Sequence, residues 1–488
     1  MVIESLKYKI LQQFGFAPTQ EQGQALDTFV SFLTDRDPQA VMILRGSAGT
    51  GKTLLSGAIV RTLLQIRQKV MLLAPTGRAA KVFSLGSGAP AYTIHRRIYR
   101  EKAFAGVDGQ FSLNDNLYTD TLFMVDEASM IANMGLGGTT FGSGCLLDDL
   151  VKFVYQGHND RLLLIGDKAQ LPPVGEEESP ALSASVMEGY GLKVYECDLN
   201  EVLRQSQSSG ILYNATLIRQ MITHDAVTGL PLIRFKGFAD IVMMPGAELV
   251  ESLGDSYHHV GMDETMVITR SNKRANIYNN GIRNMVLDRE EELSSGDMLM
   301  IVKNNYFWTE KEKKESGEGS AGAVPAFLAN GDRAKVLRVS NYIELYGFRF
   351  ATLLLQLPDY DDYEMQVTGM LDTLQSEAPA LTHEQQEELF RQVEEDYQHF
   401  VPLKADRMKS IRQDAYFNAL QIKYAYAVTC HKAQGGQWAH VYVDQGYMTD
   451  DMLTPDYIHW LYTAFTRATD KLFLVNWPKE QTCEPTDL

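Results

Sequence analysis

Short apolar runs recur through the first part of the chain, and each stops at Gly, Pro, Asp or Ser. Val41–Leu44, Val70–Leu73, Leu122–Val125 and Leu162–Ile165 are of this kind. Unbroken runs of this length suit strands buried on both faces of a parallel sheet, whereas a half-buried strand alternates. Between them the apolar spacing is helical, as from Thr53 to Arg67. The pattern predicts an α/β core with crossover helices over residues 1–190. A second set of runs, Met266–Thr269, Ala425–Thr429, His440–Val443 and Leu472–Val475, predicts a second α/β core. That core is assembled from two separated pieces, 191–303 and 423–488. The intervening 304–422 reads as an inserted domain. In it, Lys311–Gly322 is charged and glycine-rich and reads as an exposed loop. Phe327–Tyr346 reads as short strands broken at Asn330-Gly331, and 377–399 as an acidic helix.

Size and composition agree with this layout. A chain of 488 residues suits about three domains. The 45% hydrophobic and 22% charged content is that of a globular chain with true cores. No stretch approaches the roughly eighteen apolar residues of a membrane span, and the N-terminus does not read as a secretory leader. A cytoplasmic protein is therefore expected. Cys145, Cys197, Cys430 and Cys483 are far apart and form no CxxC pair, which gives no support to a metal site or disulfide scaffold. The formal net charge of -17 counts against a surface coated in DNA-binding arms. On its own it favours an acidic enzyme with a small substrate. It still permits a nucleic-acid protein whose positive charge is gathered in one groove.

The motifs override that composition. Gly46, Ser47, Ala48, Gly49, Thr50, Gly51, Lys52 and Thr53 fit GxxxxGK[ST], directly after an apolar run and before a helical pattern. The glycines let successive N–H groups turn toward phosphate oxygens, and the helix N-terminus adds its unpaired donors. Lys52 is expected to reach the β and γ phosphates of ATP, and the Thr53 hydroxyl to ligate Mg²⁺. Leu122–Val125 delivers Asp126 and Glu127 to a strand end. There Asp126 is expected to hold Mg²⁺ and Glu127 to polarise the attacking water. The bland alternative, an acidic surface turn, weakens beside a complete P-loop. Gly166-Asp167-Lys168-Ala169-Gln170 follows the next run, which makes Gln170 a candidate γ-phosphate sensor; an ordinary turn is its alternative. Arg204 and Arg467 lie in the second core. An arginine from a second domain can neutralise the transferring phosphoryl group, although spacing alone does not distinguish either from a surface arginine.

Taken in order, these segments resemble the RecD/Dda-like, 5′-to-3′ branch of the superfamily 1 DNA helicases across almost the whole chain. Thr19-Gln20-Glu21-Gln22 resembles the family's adenine-reading motif, with Gln22 as its glutamine. Ala74–Lys81 and Thr93-Ile94-His95 resemble its strand-contacting segments, and Asp126-Glu127-Ala128-Ser129 its acidic motif. GDKAQLPPVG at Gly166–Gly175 is nearly letter-perfect. Leu199–Gln205, Thr429–Gln437 and Tyr462–Thr469 resemble the later motifs.

The resemblance implies two RecA-like P-loop NTPase domains with ATP in the cleft between them and single-stranded DNA across the top. It implies a small wedge insertion near 96–120 in the first domain. The larger insertion in the second is expected to be SH3-like, with Asn330–Val336 as its opening strand region. Arg204 and Arg467 resemble the arginines that reach the γ phosphate. Thr76, His95, Thr429 and His431 resemble contributors to the strand groove. Arg78 and Lys81 are candidate phosphate contacts, each with a plain surface charge as its alternative, and Lys432, next to His431, is also expected to face the strand. Near the wedge, Tyr99, Phe111 and Tyr118 are expected to pack in a core more readily than to stack on a base. The expected partners are single-stranded DNA and single-strand/duplex junctions, contacted by a monomer. No separate nuclease domain is seen. The rival readings are an RNA helicase of the same fold, a nucleotide-dependent switch that does not step, and an acidic interaction protein with a relict P-loop.

Overall fold

The computed structural model describes residues 2–104, 109–135, 142–202, 208–223, 229–316, 324–325, 327–449 and 452–483. The first core is a parallel sheet of order β3-β2-β6-β7-β1-β8. Its strands are β1 (Ala40–Gly46), β2 (Lys69–Ala74), β3 (Ala91–Thr93), β6 (Thr121–Val125), β7 (Arg161–Gly166) and β8 (Lys193–Leu199). The four apolar runs are β1, β2, β6 and β7. Successive side chains of β1 serve opposite faces. Met42 and Leu44 join Phe29, Phe32, Leu55 and Ile59, whereas Val41 and Ile43 join Leu150, Phe153 and Leu182. A strand that feeds two cores has no polar face to spare, which is why the run is unbroken.

β8 pairs in parallel with β1 from Ala40↔Lys193 to Gly46↔Leu199. The first core therefore continues to Leu199, beyond the expected 190. As an edge strand with a half-exposed face, KVYECDL lacks the continuous apolar signature. Arg45 holds it across the register, donating to Asp198 at 2.6 Å and to Glu196 at 2.8 Å.

Two antiparallel strands, β4 (Tyr99–Phe104) and β5 (Gly109–Leu113), project from the first core as a hairpin within the region expected to hold the wedge. Of the aromatics there, Tyr99 and Tyr118 belong to the core. The Tyr99 hydroxyl donates to Asp149 at 2.7 Å, and Tyr118 packs on Phe123. Phe111 also packs against that core and in addition meets Tyr306, with ring centroids 4.9 Å apart, and Tyr306 stacks on Phe327 at 4.7 Å.

The second core is also parallel, in the order β16-β10-β17-β18-β9. It comprises β9 (Ile241–Met244), β10 (Thr265–Thr269), β16 (Ala427–Thr429), β17 (Trp438–Asp444) and β18 (Ala468–Val475). Between its two pieces lies a closed barrel of β11 (Met298–Ile301), β12 (Arg333–Leu345), β13 (Phe348–Leu357), β14 (Tyr363–Met370) and β15 (Leu420–Tyr424). The barrel begins before 304 and ends after 422, because β11 and β15 pair with each other and close it. Phe327–Tyr346 is not a series of short strands. Gly331, with φ +98°, turns the chain before one long strand, β12. Lys311–Ser316 is not loop but the end of the helix Phe307–Ser316. Buried Trp308 anchors that helix, its indole N–H donating to the Asn418 carbonyl at 2.9 Å. The remainder of the expected loop, 317–322, lies outside the described residues. The acidic stretch forms the helix His383–Gln398, started by a Thr382/Gln385 capping box. It is not solvated all round, since Leu389 and Val393 pack on Phe348, Phe350 and Ile411.

Candidate nucleotide cleft and strand groove

β1 runs straight into the glycine loop, and the helix Lys52–Gln65 starts at its end. Two glycines are required there. A Cβ on Gly46 would lie 2.8 Å from the Lys52 side chain, and Gly51 caps the helix at φ +80°. The Lys52 ammonium donates to the carbonyls of Gly46 and, at 3.0 Å, Ser47, so it lies along the loop. The Thr50 hydroxyl donates to the Ser47 carbonyl at 2.8 Å. Thr53 presents an exposed hydroxyl in the first helical turn. Gln22 is buried, and both ends of its amide are engaged. Its nitrogen donates to the Thr50 carbonyl at 2.9 Å, and its oxygen accepts the Thr19 N–H at 3.0 Å. It ties the N-terminal helix cap to the loop.

At the end of β6, one oxygen of Asp126 accepts the Glu127 N–H at 2.9 Å. Burial, with Glu127 alongside, pushes the Asp126 carboxyl up to about 7 against the pull of Lys52. Glu127 itself has φ +52°, a left-handed backbone that turns its side chain off the strand line. With the Gln170 amide oriented so that each end meets a complementary partner, its nitrogen donates to Glu127 at 3.2 Å. Its oxygen then accepts from Arg467 at 3.3 Å. Gln170 therefore bridges an acid of the first core and an arginine of the second. Arg467 is 2% exposed and held by the carbonyls of Thr463 and Gly436. Arg204 lies outside the described residues.

Further residues that the sequence reading did not single out complete the seam. The Ala48 N–H, a phosphate-loop donor, donates to the Tyr462 hydroxyl at 3.0 Å, which in turn donates to Asp167 at 2.6 Å. Burial and Asp167 raise the Tyr462 phenol well above its ordinary range, so it stays protonated. The Leu171 N–H donates to the Thr463 hydroxyl at 2.8 Å, and Gln434 donates to the Leu171 carbonyl at 2.7 Å. Their signal was present: Tyr462 and Thr463 open the YTAFTRAT segment, and Gln434 lies inside Thr429–Gln437. Only an inter-domain contact makes them stand out.

The expected strand residues divide. Thr76 caps the helix Gly77–Ser87 by accepting the Ala79 N–H at 3.2 Å, and Gly435 of the second core approaches it closely. Arg78 donates to the Gln437 carbonyl at 2.6 Å and lies over Trp438, 4.4 Å from the ring centroid. Burial pushes Arg78 down to about 10, and two of its guanidinium nitrogens are buried without a partner. Lys81 donates to the Pro358 carbonyl, and Lys432 to Asn330. Burial likewise lowers Lys432 to about 8. These residues meet where both cores touch the barrel. Thr429 starts the short helix Cys430–Ala433, with His431 exposed on it. His95 differs: it sits in the helix Ile94–Ile98 beside Tyr99, and burial pushes it down to about 4. The neutral ring is therefore the favoured form.

Comparison with known proteins agrees with this arrangement. A family model described as an AAA domain matches residues 17–229, and one described as a UvrD-like helicase C-terminal domain matches 424–475. The ATP-dependent RecD2 DNA helicase of Deinococcus radiodurans is 30% identical over 157 residues, which is 32% of this chain and 18% of that protein. The ATP-dependent DNA helicase dda of Enterobacteria phage T4 is 25% identical over 267 residues, or 53% of this chain and 55% of that protein. The matches thus span well under two-thirds of either relative. Among solved structures, a Bacteroides Pif1 helicase in complex with ADP-AlF3 and ssDNA is similar with a TM-score of 0.46 and 13% identity, covering 96% of this chain and 95% of that one. A phosphate-loop core followed by a UvrD-like C-terminal core is the layout of the superfamily 1 helicases. In this order of matched segments the chain is similar to that class, and RecD2 and dda are among the helicases it resembles.

Proposed function

We propose that the protein is an ATP-dependent DNA helicase that translocates 5′ to 3′ on single-stranded DNA. The observation that carries this reading is the Glu127–Gln170–Arg467 bridge, which joins the hydrolytic acid of one core to a buried arginine of the other. In such a bridge, any change at the terminal phosphate alters a contact that spans the cleft, so hydrolysis changes the fit of the two cores. The loop glycines and Lys52 bind the phosphates, and Gln22 sets the loop against the N-terminal helix. Glu127 orients the water. Thr53 and Asp126 are the oxygen ligands that would hold Mg²⁺. An all-oxygen donor set of this kind suits a hard cation. When bound, that ion supplies charge stabilisation at the transferring phosphoryl group.

Arg78, Lys81 and Lys432 are the phosphate contacts of the strand groove, with Thr76, Thr429 and His431 lining it. Among the described residues the three cations are hydrogen-bonded to neutral oxygens and not to carboxylates, so no ion pair there competes with a polyanion. Contacts of this kind carry little base information, and recognition is insensitive to sequence. The hairpin β4–β5, braced by Phe111 on Tyr306, serves as the wedge at the junction. A strand-displacement assay with 5′-tailed, 3′-tailed and blunt duplexes, in DNA and in RNA, tests the whole reading. Unwinding of the 5′-tailed DNA is expected. Preference for RNA tails would make the protein an RNA helicase, and ATP turnover indifferent to any single strand would remove the motor.

A further inference from the structure

Besides Arg467, a second arginine of the second core reaches the cleft, from a different side. Arg219 lies on the helix Gly210–Thr223, whose start is pinned by Asp240. That carboxylate accepts the Gly210 N–H at 2.7 Å and the Ser209 hydroxyl at 2.5 Å. The helix passes over the phosphate loop. A Cβ on Gly49 would come within 3.2 Å of Leu212, and Leu212 and Arg219, two turns apart, share that face. Arg219 donates from one terminal nitrogen to the Ser47 hydroxyl at 2.7 Å and to the Asn200 side-chain oxygen at 3.0 Å. Its other guanidinium nitrogens make no hydrogen bond among the described residues. No carboxylate there pairs with it.

The charge balance is the informative part. Lys52 and Arg219 place two cations against the same loop, and both are bonded to neutral oxygens. The Ala48 N–H belongs to the same loop, and its acceptor is a neutral phenol. A guanidinium commonly sits opposite a carboxylate or phosphate, which it can meet with a planar pair of donors. Here the loop supplies the amide cradle, and the free edge of the guanidinium supplies the fork. We propose that Arg219 is a phosphate-binding residue, the cation that the second core offers to the polyphosphate of the bound nucleoside triphosphate. This rests on the nucleotide reading above. It gives the second core two grips on one ligand: Arg467 through Gln170 on the side of the hydrolytic acid, and Arg219 on the side of Ser47. A nucleotide bound between them draws the cores together before any bond is broken.

The test separates a charge that binds phosphate from a side chain that merely ties Ser47 to the helix. Arg219→Lys keeps the charge and loses the planar fork. Arg219→Gln keeps a neutral donor for Ser47 and loses the charge, and Arg219→Ala loses both. Affinity for a fluorescent ATP analogue, and KM and kcat for ATP, are measured on the full chain with thermal melting as the check on folding. Arg219→Ala and Arg219→Gln are expected to raise Kd and KM roughly tenfold or more, as for loss of a charged hydrogen bond. Arg219→Lys is expected to recover most of this. Wild-type affinity in Arg219→Gln alongside a defect in Arg219→Lys would overturn the proposal, as would wild-type values in all three. Should Arg219→Ala fail to fold, the Lys-to-Gln comparison still decides. A wild-type chain that binds no nucleotide would overturn this assignment together with the reading beneath it.

Discussion

The two parallel cores share one plan but treat their strand ends in opposite ways. In the first, β1 ends in a glycine loop and β6 ends in Asp126 and Glu127, an acid pair that forms no ion pair among the described residues. In the second, β10 ends at Thr269, and Ser271 caps the next helix by accepting the Arg274 N–H at 3.2 Å. Its counterpart acid, Asp444 at the end of β17, is fully engaged. It takes Arg274 at 2.6 Å, the Tyr278 hydroxyl at 2.5 Å and the Gly446 N–H at 2.7 Å. Each open sheet offers a crevice beyond its strand ends. Whether that crevice is a ligand site or a structural joint depends on whether its donors and acids are satisfied from within. The second core closes its own crevice and instead sends side chains, Tyr462, Arg467 and Arg219, into the first.

Four substitutions sharpen this contrast. Lys52→Ala removes the loop cation and is expected to cut ATP turnover by about a thousandfold, read by phosphate release, with the melting temperature preserved. Glu127→Gln is expected to slow hydrolysis about a hundredfold while nucleotide affinity is retained. Turnover close to wild type in that variant would end the water-orienting role. Tyr462→Phe leaves Asp167 and the Ala48 N–H without their partner and is expected to cost about 1–3 kcal/mol in denaturant unfolding. It should also weaken the response of ATP turnover to single strands; an unaltered response would mean that the phenol braces the seam without coupling it. Arg274→Ala, at the closed crevice, is expected to lower stability by about 1 kcal/mol and leave ATP turnover unchanged. A loss of turnover there would break the distinction between the two crevices.

Much of the first core was legible, because a central parallel strand must be apolar on both faces and therefore announces itself as an unbroken run. The edge strand β8 was not, since one face meets solvent and its sequence alternates like a surface segment. The barrel was legible as an insertion, but its limits were misplaced at both ends. Strand β11 reads as part of the second core, and the end of β15 as the start of its closing piece, until their pairing is known. In the site, Lys52, Asp126, Glu127 and Gln170 were found from local spacing alone. For His95, nothing local reveals that its surroundings beside Tyr99 favour the neutral ring. Arg219 carries no motif signal in the sequence reading, and Tyr462 only a shared one.

The sequence by itself determined the phosphate loop, the acid pair and the number of cores, because each is a short-range matter of backbone freedom, strand burial and residues adjacent along the chain. Only the tertiary structure decided which second-core side chains enter the cleft. It also decided which basic residues gather beside the barrel and which acid finds its partner at home. Those outcomes depend on contacts between segments hundreds of residues apart, such as Ala48 with Tyr462 and Lys81 with Pro358. A contact of that range is a property of how two domains and a barrel settle against one another, and no local pattern encodes it.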